Sequence, residues 1–160
     1  MADYHKMWEE LGMDVETHDQ LCEVLPQAFG DVYLSQENRP EGMDYYNFVV
    51  AEIHGVRPAE LIEHQKKGGK VFGTFCVYVP DEVVFAADAI ATGLCGGSQF
   101  WVPGGEKVLP TNTCPLIKAS VGARLDRTCP FFRIADMYVG ETTCDGKKKA
   151  WEILAEDVPV

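Results

Sequence analysis

The spacing of hydrophobic residues divides the chain into a helical first part and a second part in which short strands alternate with helices. Before the pair Gly68–Gly69, apolar residues recur at helical spacing, as Leu21, Val24 and Leu25 do. Four stretches show this spacing: 4–11, 18–29, 45–54 and 59–67. The pattern therefore predicts an N-terminal helical segment over residues 1–67.

Two features interrupt this helical pattern. Pro26 falls inside the second stretch, so that helix is expected either to begin late or to kink there, because proline lacks the backbone N–H of a helical residue. Residues 35–42 contain Asn38, Pro40 and Gly42, which are typical of a loop.

After the glycine pair, the pattern predicts strands that alternate with helices. Residues 70–76 are β-branched and aromatic, and residues 80–90 follow as a helix with Pro80 at its start. A short apolar stretch ends in Cys95-Gly-Gly97, and the segment around Pro103-Gly-Gly105 is predicted as a loop. The remaining predicted elements are a helix over 113–125 capped by Thr113 or Cys114, a strand over 137–140, a helix over 146–155 and the first residues of another strand at 158–160.

Such an alternation is typical of an α/β fold. Residues 68–160 are therefore predicted to form a Rossmann-like or flavodoxin-like domain with a parallel sheet. The length of 160 residues and the 46% hydrophobic content agree with a chain that builds a real core.

Charge and composition exclude several classes of partner. The chain carries 14 Lys and Arg residues against 25 Asp and Glu residues, a formal net charge of −11, so neither nucleic acid nor an anionic membrane is an expected partner. No apolar run reaches the roughly 20 residues that span a bilayer. The first residues lack the apolar region of a secretion signal. We therefore expect a cytoplasmic protein whose six cysteines are reduced.

The cysteines of the second part are the candidate functional residues. Cys76, Cys95 and Cys144 fall at predicted carboxyl ends of strands, where α/β proteins bind ligands, and Cys114 starts a helix on the same side. A thiolate at a helix N-terminus faces unpaired N–H groups, which lower its pKa and favour a bound anionic group. Three such thiols, Cys114, Cys129 and Cys144, are suited to hold an anionic iron–sulfur cluster.

Spacing alone leaves a structural role open for each of these thiols, because the chain has no tight Cys-x-x-Cys pair. Cys76 and Cys95 are equally compatible with packing at strand ends. Cys129 precedes Pro130 in a predicted loop, where a structural thiol is an alternative. Cys22 lies in an amphipathic helix and is expected to act as a small hydrophobic residue.

The other candidate chemistry is weaker. The four histidines, His5, His18, His54 and His64, all fall in the helical segment and are expected on a solvated surface, so a Cys/His zinc site is not indicated. The run 147–149 places three lysines in the first turn of a helix, where the helix dipole disfavours cations. This run is either a solvated basic surface or an electrostatic support for a nearby anion.

Four segments together resemble the family of 2-hydroxyacyl-CoA dehydratase and benzoyl-CoA reductase subunits. They are Gly73-Thr-Phe-Cys-Val-Tyr-Val-Pro-Asp-Glu82, Gly93-Leu-Cys-Gly-Gly97, Leu109-Pro-Thr-Asn-Thr-Cys-Pro-Leu-Ile-Lys-Ala-Ser120 and Val139-Gly-Glu-Thr-Thr-Cys-Asp-Gly-Lys-Lys-Lys149. Within this family, the segments around Cys114, Cys129 and Cys144 are most similar to the double-cubane cluster proteins. The resemblance covers residues 60–160 most strongly.

The resemblance implies an oxygen-sensitive iron–sulfur protein of anaerobes. Such a protein receives low-potential electrons from an ATP-hydrolysing activator iron–sulfur protein and belongs to a reductase or a dehydratase, which is a lyase. Relatives in the dehydratase branch hold a [4Fe–4S] cluster with three cysteines, two of which match Cys114 and Cys144. Double-cubane relatives need more cysteines, so Cys129 is the implied third ligand. If a cluster is present, the basic turn that begins at Lys147 is expected to support it electrostatically.

The resemblance also implies further parts. Family members supply later ligands from a second α/β domain, which this chain lacks, so we expect it to pair with such a domain or subunit, most simply in a dimer. The isolated chain is then an incomplete enzyme component. The alternative is a non-catalytic truncated or split subunit whose thiols are empty and whose role is to pair with another chain.

Overall fold

A parallel sheet lies at the centre of the molecule. The computed structural model describes residues 3–75, 78–94 and 96–160. Within them, the sheet is formed by β1 (Lys70–Thr74), β2 (Ala89–Gly93) and β3 (Met137–Val139), in the order β2-β1-β3. Val71 pairs with Ile90, and Gly73 pairs with both Thr92 and Tyr138. The predicted α/β fold with a parallel sheet is therefore confirmed.

Helices precede the sheet and connect its strands. They are α1 (His5–Glu10), α2 (Val15–Phe29), α3 (Met43–Ala51), α4 (Val56–Lys66), α5 (Asp81–Ala86), α6 (Val102–Glu106), α7 (Pro115–Leu125), α8 (Pro130–Ile134) and α9 (Asp145–Leu154). A π-helical stretch, Gly30–Leu34, follows α2, and a 3-10 turn, Gln99–Trp101, precedes α6. In the part of the chain that is described, none of these helices combines the length and the hydropathy required to cross a bilayer.

The four predicted N-terminal helices are present with shifted ends. Helix α2 begins at Val15, earlier than expected, because the Asp14 carboxylate caps it by accepting a hydrogen bond from the Thr17 N–H at 3.1 Å. The helix continues through Pro26 and gives way three residues later to the π-helical stretch. Gly68, with a φ of 91°, adopts the left-handed conformation that turns the chain from α4 into β1.

Three elements differ from the predicted pattern. The helix expected over 80–90 ends at Ala86, and Ile90 belongs to β2, because Asp88 turns the chain with a φ of 54°. The segment around Pro103, predicted as a loop, forms the 3-10 turn and α6. Cys129 was expected in a loop, but it precedes the short helix α8, whose first residue is Pro130.

Helices α6 and α7 approach each other so closely that only glycine fits between them. A Cβ atom at Gly122 of α7 would collide with the Trp101 carbonyl, and one at Gly105 would collide with the Lys118 carbonyl. Trp101 donates a buried hydrogen bond from Nε1 to Thr128 Oγ1 at 2.6 Å. This contact joins the 3-10 turn before α6 to the segment between α7 and α8.

The strand order determines where a ligand site is expected. The order β2-β1-β3 is the one with which a flavodoxin-like sheet begins, and ligands of such sheets bind beyond the carboxyl ends of β1 and β3. At the outer edge of β3, the Tyr138 N–H donates to the Pro159 carbonyl at 2.8 Å. The segment 158–160, predicted to start another strand, therefore lies beside β3 without forming a regular strand.

Candidate functional site

Each of the three candidate cysteines precedes the first residue of a helix. Cys114 lies before α7, Cys129 before α8 and Cys144 before α9. The first two are followed by proline, which suits the first helical position because its missing N–H has no intrahelical partner there. All three thiols are thus placed at the end of a helix that carries unpaired N–H groups and the positive end of the dipole.

Cys144 shows this arrangement most clearly. Its backbone is extended, with φ −146° and ψ 149°, and its sulfur accepts a hydrogen bond from the Lys147 backbone N–H at 3.4 Å. The residue is exposed. The start of α9 therefore directs a backbone N–H group at the sulfur of this candidate ligand.

Cys114 lies on the same edge of the molecule as Cys144. A Cβ atom built at Gly146, in the first turn of α9, would lie 3.9 Å from Cys144 Sγ, 3.9 Å from Thr113 Cγ2 and 2.8 Å from Ile117 Cδ1. The first turns of α7 and α9 therefore touch, and Thr113, the neighbour of Cys114, reaches the surroundings of the Cys144 sulfur. Cys114 is exposed as well.

Cys129 lies elsewhere and in a different environment. It is only 7% exposed and packs in the core with Ala123 of α7 and Leu154 of α9. Burial raises the pKa of its thiol to about 11, although backbone N–H groups of Phe132 and Phe131 point at the sulfur and act in the opposite direction. The thiol is therefore protonated at neutral pH.

The length of α7 separates Cys129 from the other two cysteines. Eleven residues at about 1.5 Å each make α7 roughly 16 Å long; Cys114 precedes its first residue, and Cys129 follows its last turn. Arg124 near the end of α7 lies 3.8 Å from Asp157, just beyond the end of α9, so the two helices run side by side in the same direction. Of the three candidate thiols, only Cys114 and Cys144 thus lie at helix starts that adjoin each other.

The lysines that follow Cys144 are engaged by carboxylates. Lys147 pairs with Glu141, Lys148 lies 3.9 Å from Asp145, and Lys149 lies 2.7 Å from Glu152. Lys147 approaches Cys144 through its backbone N–H, while its ammonium group faces Glu141. The second carboxylate oxygen of Glu141, Oε2, is buried and has no hydrogen-bond partner among the described residues.

A second cluster of ligating side chains lies in the N-terminal helices, where histidines were expected on a solvated surface. That expectation is wrong for His18, which is fully buried, and for the half-buried His54. His18 Nε2 lies 2.9 Å from His54 Nδ1, and the Cys22 sulfur lies 3.6 Å from His18 Nε2. The one signal in the sequence is the four-residue spacing of His18 and Cys22, which puts them on one face of α2.

Burial governs the protonation of this cluster. It lowers the pKa of His54 to about 4, with the charge of His18 acting in the same direction. It also lowers the pKa of His18 and raises the pKa of the Cys22 thiol. Both imidazoles are therefore neutral at pH 7.

The two remaining cysteines, Cys76 and Cys95, lie outside the residues that the structure describes.

Comparison with known proteins agrees with the motifs of the second half. The family model described as 2-hydroxyglutaryl-CoA dehydratase, D-component, matches residues 76–160, more than half of the chain. A protein of Escherichia coli named "Putative dehydratase subunit YjiM" is 44% identical over 100 residues, which are 62% of this chain and 26% of that protein. The matched region includes the helix starts at Cys114, Cys129 and Cys144. The chain belongs to the 2-hydroxyacyl-CoA dehydratase family, as its match to the family model of the 2-hydroxyglutaryl-CoA dehydratase D-component shows.

Proposed function

We propose that this chain is the iron–sulfur component of an ATP-dependent, low-potential system of the reductase or 2-hydroxyacyl-CoA dehydratase type. The observation that carries the proposal is the placement of Cys114 and Cys144 at the adjoining N-terminal turns of α7 and α9. This edge lies beyond the carboxyl end of β3, where flavodoxin-like sheets bind ligands.

The chemistry of these residues fits an iron–sulfur cluster. Iron–sulfur clusters are held by cysteine thiolates, and hydrogen bonds to the sulfurs tune their potential. Two exposed thiols lie at helix starts, and the Lys147 N–H already donates to one of them. A bound cluster would supply one-electron transfer at low potential. The chain's own contribution would be to hold the thiolates and to direct backbone N–H groups at their sulfurs.

Lys147 belongs to the proposed site through its backbone. Its ammonium group balances the charge of Glu141, which is 9% exposed, and so keeps the loop before Cys144 in place. The direct partner of the Cys144 sulfur is the Lys147 N–H. We therefore assign Lys147 a positioning role beside the cluster.

Cys129 remains the proposed third ligand of this chain, with a structural requirement. Its sulfur must leave the core and lose its proton before it can bind iron, which means that the first turn of α8 must move. A [4Fe–4S] cluster held by Cys114, Cys144 and ligands from another domain does not need this movement. A double-cubane cluster uses more cysteines and therefore does need the first turn of α8 to move.

Partners are part of the proposal. They are an ATP-hydrolysing activator iron–sulfur protein and a second α/β domain or subunit of the same family, arranged as a dimer. The 100 residues that match the YjiM relative are 26% of the length of that protein. None of the described residues of α3 is buried, and Tyr45, Phe48 and Val50 are 68%, 56% and 45% exposed. An apolar surface of this kind is typical of an interface.

We also propose that residues 1–67 and 68–160 are the two structural divisions of the chain.

The exposed surface of α3 equally favours the second candidate function, a non-catalytic subunit that pairs with another chain without binding a cluster. Anaerobic reconstitution with iron and sulfide separates the two. If the proposal holds, the chain gains absorption near 400 nm, and Cys144→Ser lowers the bound iron, while Cys22→Ser, outside the proposed site, leaves the absorption unchanged. Equal absorption for Cys144→Ser and Cys22→Ser would contradict the ligand assignment, and its absence from every form would favour the non-catalytic subunit.

A further inference from the structure

Three ligating side chains meet between α2 and the turn that joins α3 to α4. His18 and Cys22 lie one helical turn apart on α2, and His54 comes from the turn, 36 residues further along the chain. One ligand atom from each, His18 nitrogen, Cys22 sulfur and His54 nitrogen, lies within 4.8 Å of the other two. Neither the family resemblance nor the proposed cluster site involves any of them.

The separations between these atoms agree with a tetrahedral metal site. For zinc, with Zn–N of about 2.0 Å and Zn–S of about 2.3 Å, tetrahedral geometry places two nitrogens about 3.3 Å apart and a nitrogen and a sulfur about 3.5 Å apart. The two imidazole nitrogens here lie 2.9 Å apart, and the sulfur lies 3.6 Å from His18 Nε2. An ion would need to widen the nitrogen pair by about 0.4 Å. It would also need to turn the His18 ring, because the Cys22 sulfur lies 3.7 Å from Nδ1 as well and so faces the ring and not the lone pair of Nε2.

The surroundings hold the imidazoles in place. The Trp8 ring packs on His18 with 4.2 Å between ring centroids, and its Nε1 donates to the His54 carbonyl at 2.8 Å. The Phe131 ring also packs against the His54 ring, with 6.2 Å between their centroids. Both rings are thus oriented by contacts other than the bond between them. The half-buried position of Cys22 and His54 leaves access for the ion and for a water molecule as fourth ligand.

We propose that His18, Cys22 and His54 form a binding site for one zinc-class divalent metal ion, which joins α2 to the turn between α3 and α4. The alternative for the same geometry is a hydrogen-bonded histidine pair with a packing thiol. The nitrogen and sulfur donors favour zinc over magnesium or calcium, which prefer oxygen ligands.

Metal binding has a defined proton balance. The Cys22 thiol releases its proton to solvent, and the ring proton shared between the two imidazoles moves to a ring nitrogen that does not bind the ion. No oxidation or reduction takes place. Burial keeps both imidazoles neutral at pH 7, as ligands must be, whereas the raised pKa of Cys22 is a cost that the ion must overcome.

Cobalt(II) titration of the full chain under reducing conditions tests the site, because cobalt bound to a thiolate gives a sulfur-to-metal charge-transfer band. We expect one cobalt ion to bind with this band and zinc to displace it. Cys22→Ser should abolish the band of this ion and weaken its binding at least tenfold. His54→Gln should weaken binding at least tenfold. Circular dichroism of both variants without metal should match the parent, since both positions are partly exposed.

The double variant Cys114→Ser/Cys144→Ser is the matched control, because it removes two exposed thiols that do not belong to the cluster of His18, Cys22 and His54. It should keep the band and the affinity. If the band survives in Cys22→Ser, or disappears in the double variant, the ion binds to other thiols and the inference is overturned. If Cys22→Ala, which adds no polar atom, binds cobalt as tightly as the parent, the inference is likewise overturned.

Discussion

The reactivity of Cys129 tests whether its thiol lies in the core. Burial raises the pKa of Cys129 from the ordinary 9.0 to about 11. Two pKa units reduce the thiolate fraction about a hundredfold at pH 8, and the thiolate is the form that reacts with iodoacetamide. Because the residue is also only 7% exposed, we expect its alkylation to be at least a hundredfold slower than that of an ordinary exposed thiol.

Tryptic digestion after timed alkylation resolves the relevant cysteines, because each falls in a peptide of its own. These peptides are 108–118 for Cys114, 128–133 for Cys129 and 134–147 for Cys144. In the native chain, the exposed Cys114 and Cys144 should be labelled well before Cys129. In denaturant, Cys129 should be labelled at the rate of an ordinary thiol.

The dependence on pH separates the two causes of slow labelling. If the raised pKa contributes, the rate at Cys129 should rise about tenfold for each pH unit up to about pH 11, as long as the chain stays folded. Labelling of Cys129 as fast as Cys144 in the native chain at pH 8 would refute the placement of this thiol in the core. It would also show that the start of α8 opens readily, as a ligand role for Cys129 requires.

Three substitutions test the packing that supports the site, each by chemical denaturation. Gly122→Ala should destabilise the chain by about 2 kcal/mol, because the added methyl meets the Trp101 carbonyl, whereas Gly30→Ala, with open space around it, should not. Equal stabilities of these two variants would refute the close approach of α6 and α7. Lys147→Gln should lower the free energy of unfolding by about 2 kcal/mol, because it leaves the buried Glu141 carboxylate without its cation, while Lys149→Gln, in an exposed pair, should have no measurable effect. The reverse order of the two effects would mean that the Lys147 pair is not formed. Burial would raise the pKa of Asp136, but hydrogen bonds from the Val71 N–H, Gln65 and Lys70 outweigh burial and hold the pKa below its usual value, so this carboxylate stabilises the fold above about pH 4 and less as the pH falls. Asp136→Ala should therefore lower the free energy of unfolding by about 1–3 kcal/mol at pH 7 and make its loss in acid shallower. A pH profile parallel to that of the parent would contradict this reasoning.

The elements with strong local signals were predictable from the sequence. Helix α7 has a cysteine and Pro115 at its start and an apolar face, and β1 begins two residues after the left-handed Gly68. Both were placed within two residues of their observed ends. Helix α8 was missed because five residues are too few to show a helical period, although Pro130 marks its first position.

The candidate sites show the same division between local and long-range information. A cysteine before a helix is visible in the sequence, and so the helix starts at Cys114 and Cys144 were predicted. The burial of Cys129 depends on how α7, α8 and α9 pack, which no local pattern encodes. The contact between His18 and His54 joins residues 36 positions apart, so only their tertiary arrangement reveals it.

The most direct test of the proposed function is the protection of cysteines by a reconstituted cluster. The chain is loaded anaerobically with iron and sulfide, freed of excess reagent and alkylated for short times, and Cys114 and Cys144 are followed by their separate peptides. We predict that both rates fall together by at least tenfold, that they recover when a chelator removes the iron, and that iron without sulfide leaves them unchanged. Unchanged labelling of Cys114 and Cys144 in a chain that has bound iron and sulfide would contradict the claim that these two helix starts hold the cluster.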